Sequence, residues 1–311
     1  MKIFPLRYLV ALLAFLLLPG CNSIYENLDN CPVYLVVKPY MQTPCMDAPS
    51  YPENVERLHV TLSDANGKVV AHQLFVNARL AADASFVLEI PASIYKEGTY
   101  TCSVWGGAVN EDYLFSGIPE VGLKIRDLNL SLRTNTGRID GKIFHKLYQS
   151  TQTLTLPSKA TLNGIDKVYT SPNLRPYTYD FNINVTGMSA ELPAEIAIAD
   201  ENLSYVYTGE LSTPRKAVEY AAILPSAEPV RSVHLRTLDI MPSDTDPRLK
   251  LINKRNGDTL LNLSLKGLLR KLPHYRPECK FEYDVDIEFR TSMSVVILID
   301  GMPVHSYDID L

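Results

Sequence analysis

Asp284, Asp286 and Glu288 stand at alternate positions and make the densest acidic group in the chain. On a strand, alternate side chains share a face, so the three carboxylates would form a row of hard oxygen ligands of the kind calcium takes. The intervening residues, Tyr283, Val285, Ile287 and Phe289, are all apolar. An amphipathic strand with a solvated acidic side explains that pattern without a metal. Asp244-Thr245-Asp246, followed by Pro247, reads as a turn for the same reason. The six histidines, His59, His72, His145, His234, His274 and His305, are scattered singly, and none lies at ligand spacing from a cysteine. The chain has no nucleophile elbow, no phosphate-binding glycine loop and no H-E-x-x-H motif. Neither catalysis nor a cofactor is expected. The single tryptophan, Trp105, precedes Gly106-Gly107. Exposed, its indole would suit a surface lipoprotein that binds glycans. The alternation of Cys102, Val104 and their neighbours favours a core or edge role instead.

Cys21 has the most specific setting of any residue. Lys2 and Arg7 precede an apolar run, Tyr8 to Leu18, which ends in Leu18-Pro19-Gly20-Cys21. A basic segment, a short apolar core and a small residue before the cut mark a secretory signal. A permanent span would need roughly 20 apolar residues. Leu-x-Gly-Cys is the pattern of a bacterial lipobox, which makes residues 1–20 a lipoprotein signal peptide and Cys21 the acylated first residue of the mature chain. Each buried methylene of such acyl groups, palmitate included, contributes about 0.8 kcal/mol to membrane attachment. Residues 21–30 then form a polar tether. Of the other four cysteines, Cys31, Cys45, Cys102 and Cys279, the first three lie in the first half, and a bridge among Cys31, Cys45 and Cys102 is expected in an oxidising compartment. The alternative leaves Cys102 and Cys279 as buried thiols on strands.

These residues must be positioned by strands. The mature chain is long enough for two domains, and the net charge of −5 gives no reason to expect nucleic acid. Val33 to Val37 is apolar on both faces and predicts a central strand. Val55 to Ser63, the turn Asp64-Ala65-Asn66-Gly67 and Lys68 to Phe75 predict a hairpin. Ser85 to Ile90, Gly98 to Trp105 and Val121 to Leu132 add strands to a β-sandwich over residues 31–134. Polar, turn-rich Arg133 to Arg138 is taken as the boundary to a second β-sandwich over 139–311. There, Tyr177, Tyr179, Phe181, Ile183 and Val185 alternate with polar residues in the clearest strand of the chain. Leu261, Leu265, Leu268, Leu269 and Leu272 follow helical spacing before Pro273 and predict one short packed helix.

The residues that carry a family likeness are spread from end to end. They are the lipobox with the tether Ile24 to Cys31, the hairpin Val60 to Val69, the strand Gly98 to Gly107, the Leu261 to Leu272 segment, Tyr283 to Ile287, and Val296 to Gly301. In this order they resemble the FimB-type minor subunits, or anchor lipoproteins, of the type V fimbriae of Bacteroidales. Where that family often has a tryptophan after the last turn, this chain has Met302, whose thioether fills a similar apolar gap. The resemblance implies an all-β protein of two transthyretin-like β-sandwich domains, fixed to the outer membrane through the lipid on Cys21 and exposed at the base of a fimbria. Its implied partners are other fimbrial subunits, stalk or accessory pilins, joined by β-strand complementation. The segments expected to make those contacts are Pro303 to Leu311 and Val33 to Val37.

Overall fold

The computed structural model describes residues 31–162, 166–226, 228–241, 244–291 and 294–308. The expected signal peptide, Cys21 and the expected tether therefore lie outside the described residues. The described chain is almost entirely β. Its strands, in order, are β1 Val33–Val37, β2 Arg57–Asp64, β3 Val69–Val76, β4 Phe86–Ile90, β5 Gly98–Gly106, β6 Tyr113–Phe115, β7 Asn129–Leu132 and β8 Arg138–Asp140. They continue as β9 Tyr148–Leu156, β10 Lys167–Thr170, β11 Arg175–Pro176, β12 Thr178–Thr186, β13 Ala194–Asp200, β14 Ser204–Val206 and β15 Val218–Ile223. The last six are β16 Val230–Leu238, β17 Arg248–Asn253, β18 Thr259–Ser264, β19 Glu282–Arg290, β20 Ser294–Ile299 and β21 Met302–Asp308. No described helix is long and apolar enough to cross a membrane.

Two face-to-face sheet pairs result. In the first, the sheet β10-β1-β4 covers the sheet β11-β9-β5-β2-β3. Val33, Leu35 and Val37 of β1 and Phe86, Leu88 and Ile90 of β4 meet Leu58, Val60, Leu62, Cys102 and Val104 in one apolar core. In the second, β16-β12-β19-β20-β21 packs on β18-β17-β13-β15-β8. The alternation in β12 is realised there: Tyr179, Phe181, Ile183 and Val185 are buried against Ile196, Ile198, Leu249 and Leu251. The hairpin at Asp64 to Gly67 forms as its turn residues dictate, with Asp64 Oδ1 accepting from the Asn66 and Lys68 amides at 2.9 and 2.8 Å. A small sheet, β14-β7-β6, joins the second core.

The boundary expected between residues 134 and 139 is not where the sheets divide. The polar stretch Arg133 to Arg138 is a turn, with Thr136 and Gly137 both at positive φ. After it β8 joins β15 in parallel. The chain then goes back to the first unit, where β9 pairs with β5 along its whole length, from Gly98↔Leu156 to Gly106↔Tyr148. Turn composition alone does not separate a linker from a loop between strands. The hydrogen-bonding edge of β5 needed a partner, and the sequence supplies it 42 residues later. Gly107 permits the return: a Cβ there would sit 2.0 Å from the Lys146 carbonyl oxygen, at a φ of +81°.

The predicted helix is also shorter than its leucine spacing suggested. Leu261 and Leu263 belong to β18, opposite Leu251 and Leu249 of β17. Only Leu265–Leu269 is helical, capped by the Ser264 hydroxyl, which accepts from the Gly267 amide at 3.0 Å. Leucines at 261, 263 and 265 satisfy a two-residue period as well as a helical one, and the free edge of β17 decides between them.

Candidate functional site

The acidic row is laid out on β19 as the sequence suggested, but amides from the neighbouring strand hold its carboxylates. Parallel pairing of β12 with β19 sets Asn182 beside Asp284 and Asn184 beside Asp286. Each amide donates to its carboxylate at 2.9 Å. Glu288 is taken by Arg290 at 2.9 Å. Asp244 pairs with Arg215, and Asp246 with Arg248. Among the described residues, no three acidic, histidine or cysteine side chains converge on a metal-sized site.

Four of the six histidines are equally well accounted for by structure. His234 and Arg236 donate to the buried carboxylate of Asp180, at 2.9 and 2.7 Å, and Lys146 adds an ammonium group at 3.1 Å. Burial alone would raise the Asp180 pKa, but hydrogen bonds from Arg236 and His234 hold it below the usual carboxylate value. His145 lies against Asp112 at 2.6 Å. His59 is buried between His72 and Phe115, with ring centroids at 5.7 and 4.4 Å. Desolvation, with His72 and Arg57 nearby, pushes its pKa down to about 3. These are packing and pairing roles. Trp105 is fully buried, its indole N–H donating to the Tyr207 carbonyl at 2.6 Å between Tyr177 and Tyr205. It welds the two units and offers no sugar platform.

The cysteines correct the expected pairing. Cys45 is bonded to Cys279, with 5.6 Å between the Cα atoms and a sequence separation of 234. No bridge forms among Cys31, Cys45 and Cys102. Cys102 points from β5 into the first core, where burial pushes its thiol up to about 12 and leaves no approach for a partner. Cys31 pairs with no described cysteine. A signal was present: Thr43-Pro44-Cys45 and Arg276-Pro277-Glu278-Cys279 put the bonded pair in proline-bearing loops, whereas Cys102 sits within a strand and Cys31 at the foot of one.

Two segments were expected to meet other subunits, and they fare differently. β1 is an internal strand, parallel to β10 on one side and antiparallel to β4 on the other. Its backbone groups are already spent. β21 is the last strand of its sheet, paired only with β20 among the described residues. A row of main-chain groups along the C-terminal strand is therefore left without a strand partner among the described residues. Val304 anchors it inward, Tyr307 reaches the Leu260 carbonyl at 3.4 Å, and Met302 is half exposed at its start. Residues 309–311, the end of the expected contact segment, lie outside the described residues. A separate open cleft of about 720 Å³ lies between the units, lined by Arg175, Tyr177, Glu210, Arg215, Asp239 and Glu278. Its deepest charge is satisfied, since Arg175 bonds Asp239 at 2.8 Å.

Residues 28–307 match the model of a family described as fimbrillin-A associated anchor proteins Mfa1 and Mfa2. The chain belongs to this family. It is 26% identical to the minor fimbrium anchoring subunit Mfa2 of Porphyromonas gingivalis over 325 aligned positions, which cover 98% of this chain and 97% of that protein. Among solved structures, the fimbrial anchor protein Mfa2 from Porphyromonas gingivalis superposes with a TM-score of 0.75 at 23% identity, over 89% of this chain and all of the other. A candidate adhesin from Bacteroides ovatus has the same fold, with a TM-score of 0.71 at 17% identity over 92% of this chain and 98% of its own. The anchor family is thus matched across both sheet pairs, and its named relatives are fimbrial and adhesin proteins.

Proposed function

We propose that this chain is the anchoring subunit at the base of a fimbria, held in the outer membrane by acyl groups on Cys21 and joined to its neighbour by β-strand complementation at the open edge of β21. The observation that carries the reading is the match to an anchor family over residues 28–307, which begins seven residues after the lipobox cysteine. The open edge of β21 adds a physical means of attachment. An incoming strand would gain main-chain hydrogen bonds along it, with alternate side chains supplying selectivity. The role needs no catalytic residue, and it uses the two ends of the chain: lipid at one, an unpaired strand edge at the other.

Two experiments test the two halves. A Cys21→Ala variant is expected to fold and to leave the membrane fraction; retention there would refute lipid anchoring. A photo-crosslinking residue at Ser306, exposed on β21, is expected to capture another fimbrial subunit in cells making fimbriae. The same probe at Val36, inside the first sheet, should capture none. Equal capture at both positions, or none at Ser306, would remove β21 from the interface.

A further inference from the structure

The Cys45–Cys279 bond closes a covalent loop over most of the protein. Only the stretch before Cys45, containing β1, and the stretch after Cys279, containing β19, β20 and β21, lie outside it. We propose that this bond is a mechanical strap: once tension has drawn out the N-terminal tether and the C-terminal strands, it passes covalently from Cys45 to Cys279 and leaves the chain between them unstretched. The inference rests on the anchoring role, in which pull enters at the tether and leaves through the C-terminal sheet.

The placement of the two cysteines fits that task. Cys45 follows β1 by one loop, and that loop is itself pinned: the Met41 amide and carbonyl bond Ser50 at 2.9 and 2.8 Å. β1 is clamped on both sides, opposite Lys167 to Thr170 and opposite Phe86 to Ile90. On the far side, Cys279 stands three residues before β19, the central strand of its sheet. β19 is held by a parallel ladder to β12, Asp180↔Glu282 through Thr186↔Glu288, and by an antiparallel one to β20. The strap therefore joins the loop after β1, the first strand, to the segment just before β19, the central strand of its sheet. Without it, tension between the ends would run through every strand in sequence, and the weakest would peel first. With it, a covalent bond takes that tension, and about 57 residues of the mature chain can be drawn out straight, roughly 20 nm at ~3.5 Å per residue, against roughly 100 nm for the whole mature chain.

Single-molecule pulling on residues 22–311, gripped at the two ends, reads this directly. The oxidised protein is expected to extend by roughly 20 nm and no further, and the same molecules treated with a phosphine reductant by roughly 100 nm. Oxidised molecules that extend fully, or a reductant that changes nothing, would overturn the strap. A Cys45→Ser/Cys279→Ser variant should behave as the reduced protein; if it does not fold, the reductant comparison on the folded wild type still decides. In cells, the double variant should assemble fimbriae but lose them to shear several-fold faster. Unchanged shear loss would show that the bond carries no fimbrial load, even if the pulling result held. Failure of the anchoring role itself would appear separately, as membrane retention of Cys21→Ala.

Discussion

His59 and His72 make acid the condition in which single residues matter most. His59 has no hydrogen-bond partner for either ring nitrogen among the described residues, and His72 accepts or donates only to Thr61 among side chains, at 2.8 Å. Burial lowers their pKa values to about 3 and about 4, from 6.5 in the unfolded chain. A group with a depressed pKa binds more protons unfolded than folded, so its contribution is fully present above pH 6.5 and is lost as pH falls towards 3–4. Urea midpoints should drop between pH 6.5 and 4, by an amount equivalent to a few kcal/mol, on the order expected for such shifts. A His59→Phe variant, packing on Phe115, should flatten much of that slope; an unchanged slope would mean other groups dominate it. Gly107→Ala should cost about 2–3 kcal/mol or more, because it adds a Cβ against the Lys146 carbonyl at positive φ. Reducing Cys45–Cys279 should remove about 2–5 kcal/mol, read as a lower melting temperature with reductant and none of that shift in the Cys45→Ser/Cys279→Ser variant.

At the scale of elements, the short helix Leu265–Leu269 is a plug beneath β18. Leu265 and Leu269 are fully buried, so Leu269→Ala should cost about 2–5 kcal/mol in urea denaturation, while Lys271→Ala, on the exposed end, should cost under about 0.5 kcal/mol. Similar losses for both would mean the helix does not seat in the core. Which parts of the fold were legible follows from what a strand reveals locally. β12 and the β2–β3 hairpin were readable because burial on one face prints a two-residue period, and a tight turn needs Asp, Asn and Gly. The pairing of β9 with β5 was not, because an edge chooses its partner through contacts far apart in sequence. The same holds for the acidic row: Asp284 and Asp286 were visible, but their Asn182 and Asn184 partners come from a parallel neighbour about 100 positions earlier. The bridge between Cys45 and Cys279 is hidden for the same reason, since its two cysteines are close in space but 234 positions apart in sequence.

For the whole molecule, the two sandwiches are interlocked rather than strung together. Trp105 bonds the Tyr207 carbonyl, Arg175 bonds Asp239 and Lys146 bonds Asp180, each across the join. A fragment ending at residue 134 would lack β9 and β11 from its main sheet and β10 from the other. Such a fragment, residues 22–134, should show no cooperative thermal transition, whereas residues 22–311 should unfold as one unit; a sharp transition in the fragment would contradict this coupling. The route of the chain also sets a clock on biogenesis. A polypeptide emerging N-terminus first exposes β5 some forty residues before β9 follows, and the first core is not sealed until β10 and β11 have emerged. During that interval the β5 edge and the apolar faces of β1, β2 and β4 stand open to whatever strand is nearest. Under the proposed role, in which neighbouring subunits are strand donors, the period of greatest hazard is the protein's own delivery, and that is when a holding chaperone would be needed most.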